Sequence, residues 1–402
     1  MRVLIVGSGA REHALAWGLA QSPGLSELHA APGNPGIAAM GRCHPVRADD
    51  GDGLLSLAHT LAVDLVVIGP EAPLVAGVAD ELRHAGIAVF GPGAEAARIE
   101  GSKSYAKEVM DAAGVAAAPA LSVARPPCVV KADGLAAGKG VFVCRTAEEL
   151  DEGLRRAAAL GGPIVIEELL VGREVSLFAI CDGSRAVPLG AVQDYKRAGD
   201  GDTGPNTGGM GAYSPVPWLE SAGALVERVH QPVVDELARR GTPFVGCLFA
   251  GLMLTDEGPR VLEFNARLGD PETQALLPRL EGDLLEALAA AAHGHADPAL
   301  LRERPDAAVT VVLTGPDYPA RSDYAGAAIE GIEAAEARGA IVFHGGTAAR
   351  DGRLVTSGGR ILSVTALAPE LAEARRRVYE AVGEVTFEGV RFRSDIAAVA
   401  GG

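Results

Sequence analysis

Residues 128–144 read CVVKADGLAAGKGVFVC, in which two short apolar runs flank a loop rich in glycine. Two such runs around a tight loop predict a β-hairpin, whereas a parallel βα unit would place a helix after the loop. The stretch therefore marks the point where the chain changes from alternating strands and helices to antiparallel hairpins.

The loop of this hairpin carries two lysines, Lys131 and Lys139, on either side of Gly134 and Gly138. It is not a Walker A loop, because three residues instead of four separate the two glycines and because a strand follows it. Glycines at a hairpin tip can still fold over phosphates, with lysines acting as point charges. The pattern favours phosphate binding over an ordinary hairpin turn.

Upstream of the hairpin, residues 1–100 alternate strand and helix. Apolar runs at 3–6, 64–68 and 87–90 predict strands, and the stretches 12–20 and 75–85 predict helices. Repeated βα units predict a parallel sheet whose ligands lie at the carboxyl ends of the strands.

Two loops follow strands of that predicted sheet. The first, GSGARE at 7–12, opens a helix beside Arg11, and it suits one phosphate monoester better than a dinucleotide because Glu12 takes the place of the third glycine. The second, GPEAP at 69–73, brings Glu71 to the same edge, where a carboxylate can bind sugar hydroxyls or an amine. The alternatives are a tight βα turn and a helix N-terminal acid.

Downstream, the pattern predicts two further hairpins, a glycine-rich loop and several helices. The hairpins pair 174–180 with 186–192 and 245–254 with 260–265, and the loop spans 197–212. Helices are predicted at 103–113, 147–160, 220–239 and 271–292, and a strand at 163–167. Residues 307–402 are expected to alternate short strands and helices.

Acidic and amide side chains cluster on two of these elements. On the strand ending EFNAR, Glu263 and Asn265 point to one face, where two oxygen ligands suit Mg²⁺, and Arg267 on that face can neutralise a transferring phosphoryl group. Glu167, Glu168 and Glu174 offer groups to a nucleotide base and ribose, although exposed acids are common. The loop DGDTGPNTGGMG at 200–211 is interpreted as a substrate loop; a disordered linker is the alternative.

Composition limits the classes of protein. The 402 residues carry a net charge of −16, with 48% apolar and 22% charged residues, which excludes wholesale disorder and general nucleic-acid binding. The longest apolar run, 244–254, is too short to span a bilayer. Five scattered cysteines and the absence of a signal-peptide pattern predict a cytoplasmic protein. Only five of the 36 basic residues are lysines, all within 103–196, and of these Lys107 alone lacks a predicted role.

Taken together, these stretches resemble the glycinamide ribonucleotide synthetases of the ATP-grasp superfamily. The stretches that carry the resemblance are GSGAREHALAW, APGNPG, VIGPEAPLVAGV, EGSKSYAKE, VVKADGLAAGKGV, IVIEELLVGREVS, QDYKRAGDGDTGPNTGGMGAYSP, EFNARLGDPETQ, FHGGT and TSGGR, in this order along the chain. The chain departs from the family pattern at Ala10, where glycine is usual, at Ala266, where cysteine is common, and in the short stretch between Gly114 and Lys131.

The resemblance implies ATP-dependent ligation of glycine to 5-phosphoribosylamine through a glycyl phosphate, with Mg²⁺ or Mn²⁺, in de novo purine synthesis. It implies Arg267 and Lys131 as catalytic residues and Glu263 and Asn265 as metal ligands. The residues implied to bind ATP are Lys103, Lys131, Gly138, Lys139, Glu167, Glu168, Leu170 and Glu174. Those implied to bind the other substrates are Gly9, Arg11, Glu12, Glu71, Lys196, Asp202, Thr203, Gly208, Gly209 and Asp270.

The implied fold is α/β and α+β, in three domains. A Rossmann-like substrate domain at 1–100 precedes an ATP-grasp domain at 101–300, with a lid at about 115–182, and a small α/β domain at 301–402. No nucleic acid or membrane partner is expected, and the protein is expected to be a monomer or a weak dimer. Alternative interpretations are a carboxylating ATP-grasp ligase, a nicotinamide oxidoreductase and a non-catalytic nucleotide-sensing module.

Overall fold

A five-stranded parallel sheet, with strand order β3-β2-β1-β4-β5, is built by the first hundred residues. Its central strand β1 buries residues 3–6 completely, as expected of a parallel strand covered by helices on both faces. The computed structural model describes residues 1–134 and 140–398. The elements of this first part are β1 Arg2–Gly7, α1 Ala10–Leu19, β2 Glu27–Pro32, α2 Pro35–Ala38, β3 Arg42–Cys43, α3 Gly51–Leu61, β4 Leu65–Ile68, α4 Glu71–Val75, α5 Val78–His84, β5 Ala88–Phe90 and α6 Ala94–Gly101.

The helix predicted at 75–85 is confirmed as α5 but begins three residues later, and Val75 instead ends a separate short helix, α4. Gly77 lies between them with a φ of +92°, a left-handed conformation that other residues rarely adopt. The turn at Gly77 therefore ends α4 after the loop that carries Glu71, and a new helix begins behind it.

The hairpin predicted from residues 128–144 is confirmed by a small antiparallel sheet of order β7-β6-β8. Lys131 on β6 lies opposite Val141 on β7 and Val165 on β8. Residues 135–139 fall outside the described part of the chain, and with them the predicted ATP contacts Gly138 and Lys139. The elements here are α7 Lys103–Ala113, β6 Cys128–Ala132, β7 Val141–Cys144, α8 Ala147–Ala159 and β8 Ile164–Glu168.

A second, larger sheet has eight strands in the order β15-β14-β9-β10-β13-β18-β23-β20. Neighbouring strands are antiparallel, and both predicted hairpins lie in it, as β9–β10 and β14–β15. The elements up to β15 are β9 Arg173–Asp182, β10 Ala186–Asp194, β11 Arg197–Gly199, β12 Thr203–Asn206, β13 Gly211–Ser214, α9 Ala222–Arg239, β14 Val245–Thr255 and β15 Gly258–Asn265. The stretch 197–212 is therefore not a plain loop, because β11 and β12 pair within it.

The single long helix predicted at 271–292 is wrong. The chain forms α10 Glu272–Leu276, a 3₁₀ turn Leu277–Arg279, β16 Leu280–Gly282 and α11 Leu284–Ala292. Pro278 lacks the N–H that a continuing α-helix needs, and Asp283 restarts a helix by accepting a hydrogen bond from the Glu286 N–H at 3.1 Å.

The last hundred residues add strands to the large sheet and form a small three-stranded one. β18 pairs with β13 of the preceding part along residues 211–214, so the large sheet runs without interruption into this region. Its elements are β17 Leu301–Glu303, β18 Ala307–Thr314, β19 Ala325–Ala328, α12 Ile332–Ala337, β20 Ile341–His344, β21 Thr347–Arg350, β22 Arg353–Ser357, β23 Arg360–Ala368 and α13 Leu371–Val382. No helix of the described ranges is long and apolar enough to cross a membrane.

Candidate active site

A cavity of about 350 Å³ lies between the small sheet β7-β6-β8 and the β14–β15 end of the large sheet. Residues that follow β1 and β4 of the first parallel sheet also line it. The structure brings many of the predicted site residues to its wall from widely separated parts of the sequence. These are Arg11, Glu71, Lys103, Lys131, Glu167, Lys196, Gly208, Glu263, Asn265, Arg267 and Asp270.

One end of the cavity is formed by Glu167 held between two lysines. Its Oε2 lies 2.6 Å from the Lys131 Nζ, and its Oε1 lies 2.7 Å from the Lys107 Nζ. Lys131 also donates to the Leu262 carbonyl at 2.7 Å, and Lys107 to the Ala118 carbonyl at 2.6 Å. Lys107, which had no predicted role, is therefore a charged wall residue of the cavity and a direct partner of Glu167.

Lys103 reaches the same cavity from the first turn of α7. The carboxylate of Asp133 accepts the Lys103 backbone N–H at 2.5 Å and the Ser104 hydroxyl at 2.6 Å, so it fixes the start of that helix. The Lys103 Nζ donates to the Gly134 carbonyl at 3.0 Å. Burial lowers the pKa of Lys103, and the nearby Glu263 carboxylate opposes that shift. Two ammonium groups, Lys103 and Lys131, thus face a space suited to phosphates.

Glu263 and Asn265 present oxygen atoms to the cavity from alternate positions of β15. The described residues place no ion pair on Glu263, and the buried Asn265 Nδ2 has no hydrogen-bond partner among them. The Asn265 Oδ1 accepts a hydrogen bond from the Arg267 Nη2 at 3.3 Å. The carboxylate of Glu263 and this amide oxygen are oxygen donors of the kind that a hard divalent cation takes together with phosphate oxygens and water. The residues present therefore fit the metal ion that the family resemblance implies.

Arg267 is held in place by acids from two other elements. Its Nη2 lies 2.9 Å from the Glu100 Oε1, and its Nε lies 3.3 Å from the Glu71 Oε2. Glu100 also accepts the Ala266 backbone N–H at 2.7 Å. Burial alone would lower the pKa of Arg267, but Glu100 and Glu71 raise it, whereas burial raises the pKa of Glu100. The guanidinium is a fixed positive charge beside Asn265.

The loop between β1 and α1 uses its own side chains to hold its shape. Glu12 accepts the Gly9 N–H at 2.5 Å and the Arg11 Nε at 2.6 Å, and its side chain is buried. Both Glu12 oxygens are used within the loop and Glu12 does not line the main cavity, so its contact with substrate stays a prediction. Arg11 remains at the cavity wall, where it also donates to the Leu268 carbonyl at 3.2 Å.

An acidic corner lies next to Lys196. The Lys196 ammonium pairs with the Glu174 carboxylate and lies 3.2 Å from the Asp194 Oδ1. Burial, followed by the charge of Asp194, raises the pKa of Glu272 to about 7. Asp194, Lys196 and Glu272 line the cavity, whereas the predicted ribose contact Glu174 lies behind Lys196.

Other predicted contacts lie away from the main cavity. Asp202 and Thr203, predicted as substrate contacts, sit on the β11–β12 turn, where Asp202 pairs with Arg393 at 2.7 Å and Thr203 caps the turn by donating to the Asp200 carbonyl. Their polar groups are thus used to attach the hairpin to the end of the chain. Glu168 ends β8 and Leu170 follows it, and neither lines the main cavity.

The three glycines predicted to contact substrate lie in different parts of the structure. Gly208 lines the main cavity, and Gly9 lines a smaller neighbouring one. Gly209 has a φ of +111°, and a Cβ there would lie 2.3 Å from the Pro271 Cδ, so its role is a close backbone approach.

Five charged residues of the cavity wall were not predicted: Glu100, Lys107, Asp194, Glu272 and Arg360. All five lie in stretches that resemble the family as sequence, but nothing in their spacing indicates a side chain turned toward the cavity. Arg360 donates to the carbonyls of Gly208 and Asp270 at 2.6 and 2.7 Å, a contact across 152 residues in the first case.

A small antiparallel sheet facing a large one, with lysines on one wall and a Glu–Asn pair on the other, defines the ATP-grasp class of proteins. The biotin carboxylase domain of 2-oxoglutarate carboxylase from Hydrogenobacter thermophilus shares this fold at 17% identity, with a TM-score of 0.70 over 97% of this chain and 91% of that one.

Profiles of phosphoribosylglycinamide synthetase match the chain in three parts: the N domain at residues 1–100, the ATP-grasp (A) domain at 101–273 and the C domain at 308–399. The chain therefore belongs to the phosphoribosylglycinamide synthetase family. The predicted order of a parallel sheet, an ATP-grasp fold and a C-terminal α/β part is confirmed.

Relatives are similar over their whole length. The phosphoribosylamine–glycine ligase of Streptomyces coelicolor is 51% identical over 420 residues, covering all of both chains, and that of Brucella melitensis is 47% identical over 98% of this chain and 97% of its own. The crystal structure of phosphoribosylamine–glycine ligase from Thermotoga maritima has a TM-score of 0.84 at 36% identity and covers 98% of this chain and 100% of that chain.

Proposed function

We propose that this protein joins glycine to 5-phosphoribosylamine at the expense of ATP, giving glycinamide ribonucleotide, ADP and phosphate. The observation that carries the proposal is the similarity, end to end, to phosphoribosylamine–glycine ligases. The cavity supports it, because it gathers cations for phosphates, oxygen donors for a metal ion and a fixed arginine.

The first step activates the glycine carboxylate. A carboxylate oxygen attacks the γ-phosphorus of ATP, the bond to the β,γ-bridging oxygen breaks, and ADP leaves. Lys103 and Lys131 neutralise phosphate charge, and Arg267 stabilises the charge that develops on the transferring group. A divalent cation held by Glu263 and Asn265 would neutralise further phosphate charge; we propose Mg²⁺, with Mn²⁺ as the second candidate.

The second step forms the amide. The amine nitrogen of phosphoribosylamine attacks the acyl carbon, the C–N bond forms, phosphate leaves with its electron pair, and the nitrogen loses a proton. Glu71 and Arg11 are at the wall nearest the first parallel sheet, where we place this substrate. Asp270 and Gly208 line the same cavity, and the Arg360 guanidinium joins their two carbonyls.

The test is ADP release with each substrate omitted in turn, followed by mass detection of the product. We expect sustained, multiple-turnover ADP release only when glycine, phosphoribosylamine and a divalent cation are all present. A carboxylating ligase would instead need bicarbonate, and a nucleotide-sensing protein would bind ATP without turnover. Either result would overturn the proposal.

The division of the chain at residues 100 and 300, the monomeric state, the cytoplasmic location and the absence of nucleic-acid binding remain predictions. Size-exclusion chromatography with light scattering tests the oligomeric state directly.

A further inference from the structure

The β11–β12 hairpin, residues 197–206, has no apolar core of its own. β11 and β12 pair only with each other, and no residue of the hairpin is buried. A two-stranded hairpin by itself is only marginally stable in water, so contacts from elsewhere in the molecule must hold this one in place.

Both ends of the hairpin continue directly into the wall of the main cavity. Lys196 precedes β11, Thr207 and Gly208 follow β12, and all three line the cavity. The N–H and the hydroxyl of Thr207 both donate to the Lys196 carbonyl, at 2.7 and 2.9 Å, and so close the neck of the hairpin. A displacement of the hairpin would therefore move the cavity wall as well.

A segment near the end of the chain, residues 391–397, holds the hairpin through Arg393. This side chain is 1% exposed. Its Nη1 donates to the Asp202 Oδ1 at 2.7 Å and to the Arg197 carbonyl at 3.1 Å. Its Nε and Nη2 donate to the two oxygens of Asp395, at 2.7 and 2.6 Å. One buried cation thus joins the hairpin to the segment 391–397.

The residues after Arg393 hold the tip of the hairpin. The Asp200 carboxylate accepts the Ser394 N–H at 2.9 Å and also the Ser394 hydroxyl. The Asp395 carboxylate accepts the Gly201 N–H at 2.8 Å. Within the part of the chain that the structure describes, every hydrogen bond that leaves the hairpin ends on residues 393–395.

The segment 391–397 is in turn fixed to α13. Tyr379 on this helix donates its hydroxyl to the Arg393 carbonyl at 2.7 Å and accepts the Ile396 N–H at 3.0 Å. Arg375 on the same helix donates to the Ser394 and Ile396 carbonyls, at 2.8 and 3.0 Å. The segment is therefore a fixed support for the hairpin.

We propose that Arg393 is a positioning residue, which holds the β11–β12 hairpin so that Lys196 and Gly208 keep their places at the cavity wall. Arg393 does not line the main cavity, so it acts only through the hairpin. The kinetic part of this inference rests on the proposed function and deepens it. Lys103 and Lys131, which face the space for the ATP phosphates, lie on α7 and β6 and do not depend on the hairpin. The effect therefore falls on the ligation of phosphoribosylamine, while the binding of ATP is spared.

The main test variant is Asp202→Gly, which removes the carboxylate of the hairpin and leaves the buried Arg393–Asp395 pair intact. Asp202 has a φ of +54°, so glycine fits its backbone conformation without strain. Asp351→Gly is the matched control, because Asp351 is also an exposed aspartate with a positive φ, of +50°, in the turn between β21 and β22. Arg393→Lys, which keeps the charge but loses the planar fork, is the second variant. If Arg393→Lys does not fold, Asp202→Gly alone still decides.

Hydrogen exchange of the ligand-free protein tests the positioning without any substrate. In Asp202→Gly and Arg393→Lys, we expect the amides of the hairpin and of the neck at 207–210 to exchange at least about tenfold faster than in the unaltered protein. Asp351→Gly should exchange like the unaltered protein in both regions. Faster exchange confined to 197–206 would overturn the proposal, because the hairpin would then move without the cavity wall. Unaltered exchange in both variants would overturn it as well.

Steady-state kinetics tests the consequence for the reaction. Asp202→Gly and Arg393→Lys should each lower kcat/KM for phosphoribosylamine about tenfold or more and change the KM of ATP less than about twofold. The double variant should be clearly less than additive, because both changes break one contact. Additive losses would mean that Asp202 acts on the substrate directly, and they would overturn the proposal. An equal effect on the KM of ATP would also overturn it.

The two assays separate failure of this inference from failure of the proposed function. If the unaltered protein turns over phosphoribosylamine and Asp202→Gly matches it, Arg393 is not a positioning residue and the function stands. If no variant turns it over but the neck amides respond to Asp202→Gly, the positioning of the cavity wall stands and the proposed function is wrong.

Discussion

Glu100 tests whether Arg267 works as a positioned charge. Glu100→Gln keeps the size of the side chain but removes the charge that faces the Arg267 Nη2 at 2.9 Å. The amide can still accept the Ala266 N–H through its oxygen, and it then turns its NH₂ toward the donors of Arg267. We therefore expect the guanidinium to move toward Glu71, its remaining carboxylate partner at 3.3 Å.

The size of the effect follows from the burial of this pair. The Glu100 side chain is 8% exposed and that of Arg267 is 16% exposed, and removing one partner of a buried pair costs about 3 to 5 kcal/mol. That cost falls on folding. For the rate we expect about a hundredfold fall in kcat, or about 2.7 kcal/mol, the lower end of what loss of one positioned transition-state donor costs, because Glu71 still holds part of the guanidinium. The KM of ATP should change little, since Arg267 acts mainly on charge that develops in the transition state.

Steady-state kinetics with thermal unfolding as a check on folding gives the answer. Glu95→Gln, which removes an exposed acid from the same helix, is the matched control, because its pair with Arg98 is 2.8 Å long but solvent-exposed and worth little. An unchanged kcat in a folded Glu100→Gln protein would refute the positioning role. A double variant with Arg267→Lys should be clearly less than additive, because both changes disturb one interaction.

Three further changes test other parts of the cavity. Lys107→Met should raise the KM of ATP about tenfold in steady-state assays, because Glu167 then pairs with Lys131 alone and holds it away from phosphate; an unaltered KM would contradict this. Glu263→Gln should raise the Mg²⁺ concentration for half-maximal activity by about tenfold or more, while the exposed Glu257→Gln on the same hairpin should not. Glu272 has a folded-state pKa raised from 4.5 to about 7, so the folded protein holds an extra proton between these values and its free energy of unfolding falls as the pH rises through them. Glu272→Gln should reduce the difference in free energy of unfolding between pH 5 and pH 8 by at most about 3 kcal/mol, measured by chemical unfolding of the ligand-free protein. An unchanged difference would count against this prediction.

The hairpins around 128–144, 174–192 and 245–265 were predictable because short apolar runs separated by glycine or aspartate leave few other structures. The stretch 271–292 was not, because its leucines and alanines fit a helical period that only Pro278 and the pairing of β16 with β17 interrupt. The local sequence pattern cannot predict a strand pairing between segments so far apart in the chain.

The residues of the candidate site also divide into those that the sequence could predict and those that it could not. Glu263 and Asn265 were predictable since alternate residues of β15 share a face; Arg267 lies two residues beyond the end of the strand, and the structure places all three at the cavity. Glu100 and Arg360 were not, because each reaches its partner across a sequence separation that only the folded chain closes. The pairing of Asp202 with Arg393 was not predictable, because a glycine-rich, polar loop fits substrate binding and hairpin attachment equally well.

The pairing of β13 with β18 has a consequence for how this chain can be divided or moved. Removing the last part would leave β13 with four residues of unpaired backbone at an open sheet edge, a surface that invites self-association. The strands between residue 173 and residue 368 thus include those of one continuous hydrogen-bonded sheet. The small sheet β7-β6-β8 has its own apolar core and no strand in common with it. We therefore expect any movement that admits a nucleotide to fall to the small sheet, while Glu263 and Asn265 stay with the large one.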